Sequence, residues 1–586
     1  MKKIIFLSCF LWTSLFLFAE THDNTKVIQS GNRIYNDLYI LFNESGLSHF
    51  IDNQPMSIGE IKFYFDDIDY ESLSESGKRL YKNVADFLQH EDNLFKSKLV
   101  KDEEIKKQNL RLFINLKVTP EIYYRTDKSL PWTFDYNIKD FTLSFPVIMG
   151  FDDYFTIQSD FFIGKNYTMT QAEESFTNIP LSGDDFEFLF PKFAYGSVGK
   201  TFDTWGFNFH AGKEGVTLGK TEIGSIIYNK TFETDFYSEL NFYTKRYKYT
   251  MFVNQVDPET FLYLHQLNFR PFKNLRFSAL EGSLLNSPFE LRYLNPLMIM
   301  HSFGSWTQHD YQMTDNEYYY YGEGHFCAYL GLSFDYVPIS NLRIYGLYAQ
   351  TEILDLGGNR SQQALSTPDG LGGQLGFEYT FGMQNGGFLK ATLEASYTSP
   401  YLYVKQSPAW SMYRTREEMQ TEGDVISWIG SPFGPDCFAT KLNLNYEPND
   451  RWNLTFGYLF KIHGENTAEN MFDPETQRIK INVGTEENPE YEWIWAHYPY
   501  ARFKEALKNG DQEGMDKSVR EARYMWMSGI PEYTHSLSLA AEYKITEHIN
   551  VAGNLAYTFI LNSDNISENL KKGLEIALSF QYKLFN

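Results

Sequence analysis

The chain has 586 residues and carries 52 Lys and Arg against 75 Asp and Glu, a formal net charge of -23. That balance argues against nucleic acid, or any polyanion held by charge alone, as a partner. Mean hydropathy is polar at -0.40, yet 42 Tyr and 50 Phe raise the aromatic share to 17%. Soluble globular chains seldom need this combination, whereas transmembrane β-barrels have aromatic outer faces and girdles around a polar lumen.

Residues 1–19 have the layout of a secretory signal: Lys2 and Lys3, an apolar run from Ile4 to Phe18, and the small Ala19 before Glu20. No later apolar run is long enough for a spanning helix. Beyond the signal, only Cys327 and Cys437 remain. An exported protein is permitted a disulfide between them, and sequence alone does not decide whether it forms. Residues 28–105 read as a small periplasmic helical domain. Ser57 stands three residues before Glu60, the spacing of a capping box. Leu80, Val84 and Leu88 share one helical face, with Tyr81 beside them.

From residue 110 to 586 the period is two. Candidate strands fall at 110–125, 140–149, 153–163, 193–201, 205–211, 234–243, 247–254, 260–270 and 275–284. They continue at 325–336, 342–350, 371–381, 387–398, 436–446, 451–462, 535–543, 549–560 and 573–585. In the last, Leu574, Ile576, Leu578, Phe580, Tyr582 and Leu584 alternate with Glu575, Ala577, Ser579, Gln581 and Lys583. With Phe585 near its end, it resembles the terminal strand that outer-membrane barrels present to their assembly machinery. Alternate connections are tight turns, such as 272–274, 337–341, 382–386 and 447–450. Those between are mostly long: 164–192, 212–233, 285–324, 399–435 and 463–534. Short turns on one side and long loops on the other are the construction of an outer-membrane barrel. The expected fold is therefore all-β, a transmembrane antiparallel barrel of about 18 strands with a small α-helical N-terminal periplasmic domain.

Four stretches carry a family resemblance: "HAGKEGVTLGKTEIGSIIYN" at 210–229, "HQL" at 265–267, "LEGSLL" at 280–285 and "YLNPL" at 293–297. The chain resembles the Wzi-type capsule-assembly outer-membrane proteins, in which a periplasmic helical segment precedes an eighteen-stranded barrel. The family's Gly-basic pair, Gly-rich loop and small-aliphatic-Asn run find counterparts in Gly212, Lys213, Gly219, Gly224, Ser225, Ile226, Ile227 and Asn229. His265, Glu281, Asn295 and Pro296 belong to the other stretches. The Trp-Gly-Pro common inside the family's loop is absent. The resemblance implies a surface lectin that retains exported polysaccharide, or a relative reused for another surface task.

The segment "ELRYLNPLMIMHSFGSWTQHDYQ" at 290–312 gathers His301, Trp306, His309 and Asp310. The two histidines are eight residues apart, with no regular element to converge them, so no metal site is expected. Leu294, Pro296, Leu297, Ile299 and Met300 are too apolar for a free loop, and they predict a segment folded into the barrel mouth. Four adjacent tyrosines, including Tyr318 and Tyr320, suit either a sugar or the interfacial girdle. Trp410, Arg414, Trp428, Trp493, Trp495 and Arg502 lie in the two longest later loops, as candidate polysaccharide contacts or as lid packing. Short helices are expected around Phe503, Ala506 and Leu507, and around Val519, Ala522 and Met525. No nucleophile, base and oxyanion device stand together, so no catalytic residue and no cofactor are expected. The expected place is the outer membrane of a diderm bacterium, as a monomer in contact with outer-membrane lipid and surface polysaccharide. A porin-like diffusion channel and a surface adhesin remain the alternatives.

Overall fold

The structure is a computed structural model. It describes residues 25–93, 110–130, 141–151, 154–165, 176–183, 186–188, 193–219, 221–232, 236–258, 260–296, 299–300, 326–352, 361–384, 386–405, 411–417, 424–466, 478–482, 491–495 and 498–584. The expected signal at 1–19 lies outside them.

Eighteen strands close into an antiparallel barrel. In chain order they are β1 (110–125, in three pieces), β2 (Leu143–Phe151), β3 (Phe155–Lys165), β4 (Ala194–Thr201), β5 (Trp205–Lys213) and β6 (Phe236–Thr244). Then come β7 (Tyr247–Asp257), β8 (Thr260–Phe272), β9 (Leu275–Asn286), β10 (Phe326–Ile339), β11 (Leu342–Glu352) and β12 (Gly370–Gly382). The wall ends with β13 (Phe388–Thr398), β14 (Cys437–Asn449), β15 (Trp452–His463), β16 (Glu532–Lys544), β17 (Ile549–Leu561) and β18 (Leu570–Lys583). Each strand pairs with its neighbour in sequence. The ring closes where β18 meets β1 in one continuous register, from Glu575 opposite Arg125 to Lys583 opposite Lys117.

The period-two pattern sorts the two faces as the sequence predicts. Leu393 on β13 is exposed to the outside, opposite Phe377 and Leu442, while its neighbours Thr392 and Glu394 point inward and are buried. Exposed Leu, Phe and Tyr of this kind recur around the wall, the face that lipid covers. Cys327 and Cys437 are both free and buried.

Among the described residues before the barrel lie three α-helices, α1 (Arg33–Glu44), α2 (Ile58–Phe65) and α3 (Glu75–Asn93). Ser57 caps α2, its Oγ accepting the Glu60 N–H at 3.2 Å, as its spacing predicts. Leu80, Val84 and Leu88 of α3 join Leu38, Leu41, Ile58 and Ile61 in one core. The helices are seated in the mouth of the barrel on the side of the short turns. There Ser48 N–H donates to Lys273 C=O at 2.8 Å, and Asn341 N–H donates to Asn43 C=O at 2.7 Å. Short turns face the periplasm in this architecture.

A charge on the lipid face should therefore be costly and one on the lumenal face cheap. Leu393→Lys is expected to lower stability by about 2–4 kcal/mol, the range for a cation at the bilayer midplane. Asn554→Lys, on the lumenal phase of β17, should stay within about 0.5 kcal/mol. Urea unfolding of the bilayer-reconstituted barrel reads both.

Candidate functional site

Among the described residues, the helical segment and the loop after β5 enter the lumen, and both are held by polar residues of the wall. From the periplasmic side, the helical segment sends acids toward bases on the lumenal phase of the strands. Glu60 meets Lys248 of β7 at 2.6 Å, with both side chains fully buried. Asp52 pairs with Arg276 of β9, Asp67 with Arg270 of β8 at 2.8 Å, and Arg33 with Glu447 of β14 at 2.7 Å. Asn43 donates to Glu378 of β12 at 2.7 Å.

From the other side, the loop after β5 folds down into the barrel. Gly219 (φ 88°) and Gly224 (φ 124°) make its two reversals, where an added Cβ would strike Leu347 and Pro432. Between them the backbone N–H groups of Glu222 and Ile223 both donate to the Glu394 carboxylate at 2.9 Å. Glu394 also accepts Gln374 Nε2 at 2.7 Å and the Tyr345 hydroxyl. Asn443 donates to Glu222 at 2.7 Å, and Lys441 donates to its carbonyl at 2.8 Å. Ser225 Oγ donates to Leu218 C=O and accepts Ile227 N–H at 3.1 Å, closing a local turn. Tyr329 and Tyr403 hydroxyls donate to the Ile226 carbonyl, and Asn229 N–H donates to Ile429 C=O at 2.8 Å. The loop reaches the helical segment itself: Thr217 and Leu218 pair with Gln54 and Asn53 as a two-stranded ladder. Helices and loop thus form one continuous stopper. Gly219, Gly224, Ser225 and Asn229 all lie in this loop, just beyond Gly212 and Lys213 at the end of β5.

His265 and Glu281 have a different setting. They are cross-strand partners on β8 and β9. Their phase is the outer one, because Gln266 is the neighbour that turns inward to meet Asn53. The segment after β9 bends outward over the rim and covers this patch. Tyr293 stacks on Tyr263 with ring centroids 5.1 Å apart, and Glu290 N–H donates to the Tyr263 hydroxyl at 2.9 Å. Met300, Leu285 and Val253 complete the cluster. The expectation that this apolar stretch turns into the mouth is therefore corrected, since its described part packs on the outer wall. The stopper already occupies the lumen, while the outer rim offers apolar side chains and a lipid neighbour. Asn295 and Pro296 are exposed on this strap. The 301–325 part of the segment, with His301, Trp306, His309, Asp310, Tyr318 and Tyr320, lies outside the described residues.

The remaining candidate contacts are dispersed. Trp428 is buried against Tyr403 and Tyr413, and Arg414 is buried within 4.0 Å of Asp257. Arg502 is bound to Glu521 at 2.5 Å, across a helical hairpin of α4 (Pro499–Asn509) and α5 (Gln512–Ala522) that realises the two expected loop helices. Trp410 lies outside the described residues. Trp493 and Trp495 belong to a short hairpin with Arg478–Asn482, and only its backbone is described. Sequence reasoning missed the place of Trp526. It stacks on Tyr397 and lies tilted against Phe438 of the outer wall, with centroids 6.2 and 6.0 Å away, as a girdle residue would. Among the described residues no three His, Cys, Asp or Glu gather as a metal site would require.

No family model and no curated protein matches the chain. Solved structures do. Wzi of Escherichia coli, an outer-membrane protein involved in group 1 capsule assembly and a carbohydrate-binding β-barrel, is similar at TM-score 0.53 and 12% identity. The match covers 94% of this chain and 98% of Wzi. OprD of Pseudomonas aeruginosa matches at TM-score 0.37 and 9% identity, over 81% of this chain and 95% of OprD. The outer-membrane channel DcaP of Acinetobacter baumannii matches at 0.34 and 8%, over 83% and 99%. The Wzi likeness establishes an outer-membrane-type barrel fold along nearly the whole chain.

The electrostatics of the stopper can be probed at two of its contacts. Burial, opposed by Arg33, raises the Asp37 carboxyl to about 7. Its contribution to docking is full below the ordinary Asp range and is lost as pH rises through about 7. Docking of α1 should be stronger at pH 5 than at pH 8 by about 2 kcal/mol, read as slower hydrogen exchange, and Asp37→Asn should flatten the dependence. Separately, Glu60→Leu alone strands the buried Lys248 and should cost about 3–5 kcal/mol, whereas Glu60→Leu with Lys248→Met should recover most of it. Thermal release of the helices to protease compares the two variants.

Proposed function

We propose that this chain is a Wzi-type barrel that holds surface polysaccharide at its extracellular face, without chemistry. The observation that carries the reading is the stoppered lumen. Among the described residues, a stopper built from the helices and the 214–232 loop, tied to the wall by buried ion pairs, fills much of the lumen and turns the outward loops into the working surface. The likeness to Wzi, a carbohydrate-binding barrel matched over nearly its whole length, supports the same reading. The α4–α5 hairpin and the neighbouring aromatic loops supply that surface. Planar rings with hydroxyl or indole edges suit sugars, which offer C–H faces and hydroxyls together. Outer-leaflet lipid contacts the exposed aromatics of the wall and the strap over β8 and β9.

Replacing 499–522 with a short Gly-Ser linker should leave the barrel folded, shown by heat-modifiable migration. Cell-bound polysaccharide should fall about tenfold, the loss of roughly 1.4 kcal/mol of retention. Unchanged retention refutes the proposal. A steady open conductance of the wild-type protein in planar bilayers would favour a diffusion channel instead.

A further inference from the structure

The stopper is not centred in the barrel. On β7 to β12 the lumenal side chains are sealed: Lys248, Asn254, Asn268, Arg276 and Glu378 are each at most 1% exposed. Across the barrel the lumenal phase runs Asn443, Gly457, Ser538 and Ala556, set side by side by the register from β14 to β17. There Asn443, Asn445, Thr455, Ser538, Asn554 and Ser579 are all only half-buried. Among the described residues, the stopper reaches this arc only at its edge, where Asn443 meets Glu222, and the polar side chains beyond it stay partly open to solvent.

The arc has a direction. Toward its extracellular end the same strands become buried at Thr534, Ser536, Ala556 and Thr558. Beside them the turn after β1 packs on β18, with Leu130 set against Gly573. Toward the periplasmic end, Glu542 and Asn550 are half-buried and Lys544 and Lys583 are exposed. Among the described residues, this arc is closed toward its extracellular end and open on the side of the short turns.

Its chemistry is narrow. Between Lys441 and Glu447 on β14, and along the lumenal phase of β17 from Asn550 to Thr558, no charged residue occurs. The groups presented are carboxamides and hydroxyls. Asn445 Nδ2 donates to Asn453 Oδ1 at 2.7 Å and to Thr455 Oγ1 at 2.9 Å. Gly457, Ala540 and Ala552 keep the surface low beside them. Amides and hydroxyls both donate and accept, which matches a ligand whose own groups do the same. The charges nearest this band lie at its margins, Glu542 in contact with Asn550 and Glu575 buried on β18, and both are carboxylates that disfavour an anionic ligand.

We propose that the barrel carries a second ligand site, a recess between the stopper and β14–β18, which takes an uncharged oligosaccharide segment from the periplasmic side. This site is separate from the extracellular surface and does not depend on polysaccharide binding there.

The test uses the full-length protein in outer membranes, with Asn554→Cys and Ser579→Cys in the recess and Asn254→Cys under the stopper as control. The two native thiols are buried and serve as the unreactive background. A membrane-impermeant maleimide should label both recess cysteines about tenfold faster than Asn254→Cys, as exposure dictates. Labelling should occur only when the reagent has access from the periplasmic side. Maltoheptaose should slow it, and oligogalacturonate at the same concentration should not. Recess cysteines as slow as the control, or labelled equally well from outside intact cells, overturn the recess. Absence of protection by maltoheptaose, or equal protection by the anionic sugar, overturns the ligand. Ser579→Cys lies on a different strand from Asn554→Cys, so a folding failure in one leaves the other to decide. Polysaccharide retention by the 499–522 replacement is scored separately, so each proposal can fail without the other.

Discussion

The structure depends first on closure. Inside a bilayer, a backbone N–H or C=O without a partner costs several kcal/mol, so a sheet can cross only if it has no edge. Here the edge disappears where β18 meets β1, with Ala577 opposite Tyr123, while the first residues of β1 pair with β2, Leu112 opposite Met149. One strand therefore serves two neighbours in turn, and the ring needs no crossover. Closing with eighteen strands also sets a diameter too large for wall side chains to fill. The large lumen follows from the seam, and the stopper answers the lumen.

The way the stopper is held explains why the lumenal wall is so highly charged. A buried ion pair adds little net stability over an apolar contact, because each partner loses its hydration. It does penalise misplacement, since a shifted stopper would leave Lys248, Arg276 or Glu378 buried without a partner. The pairs Glu60–Lys248, Asp52–Arg276 and Asp67–Arg270 lie on three consecutive strands. Together they define a single seating for a helical segment whose apolar core takes in only Tyr243 and Phe388 from the wall. The Arg343–Asp335 pair, between wall strands at 2.5 Å, extends the same arc.

Most of the wall could be read from the sequence because a strand in this setting has two different solvents, and alternation records them residue by residue. All eighteen predicted segments coincide with observed strands, and the Ser57 cap falls where its spacing puts it. The bases Lys248, Arg270, Arg276, Arg343 and Lys390 also stand on the lumenal phase, a placement that alternation alone assigns. Their partners were not visible, because period two names a face and not what lies across from it. The segment around Asn295 and Pro296 was misplaced for a related reason: apolarity demands a dry neighbour, and a rim offers one on either side. The aromatic loops were ambiguous in the same way. Trp428 folds back into the mouth and Trp526 lies on the outer wall, although both are Trp in long polar loops.

The uneven filling of the lumen follows from where the inward segments begin. The 214–232 loop springs from β5 and turns down beside β7 to β12. It ends its reach at Glu394, Lys441 and Asn443, on β13 and β14. The connection between β13 and β14 adds Leu402, Tyr403 and Ile429 to the same apolar cluster. Both segments are anchored on one arc, and the helices below are clamped to the strands of that arc by the bases they meet. On the far side Leu130, after β1, is set against Gly573 of β18. A barrel stoppered by loops from one side of its rim, with short residues on the opposite wall, cannot be filled symmetrically. The open arc of amide and hydroxyl groups is thus a consequence of the same connections that close the rest.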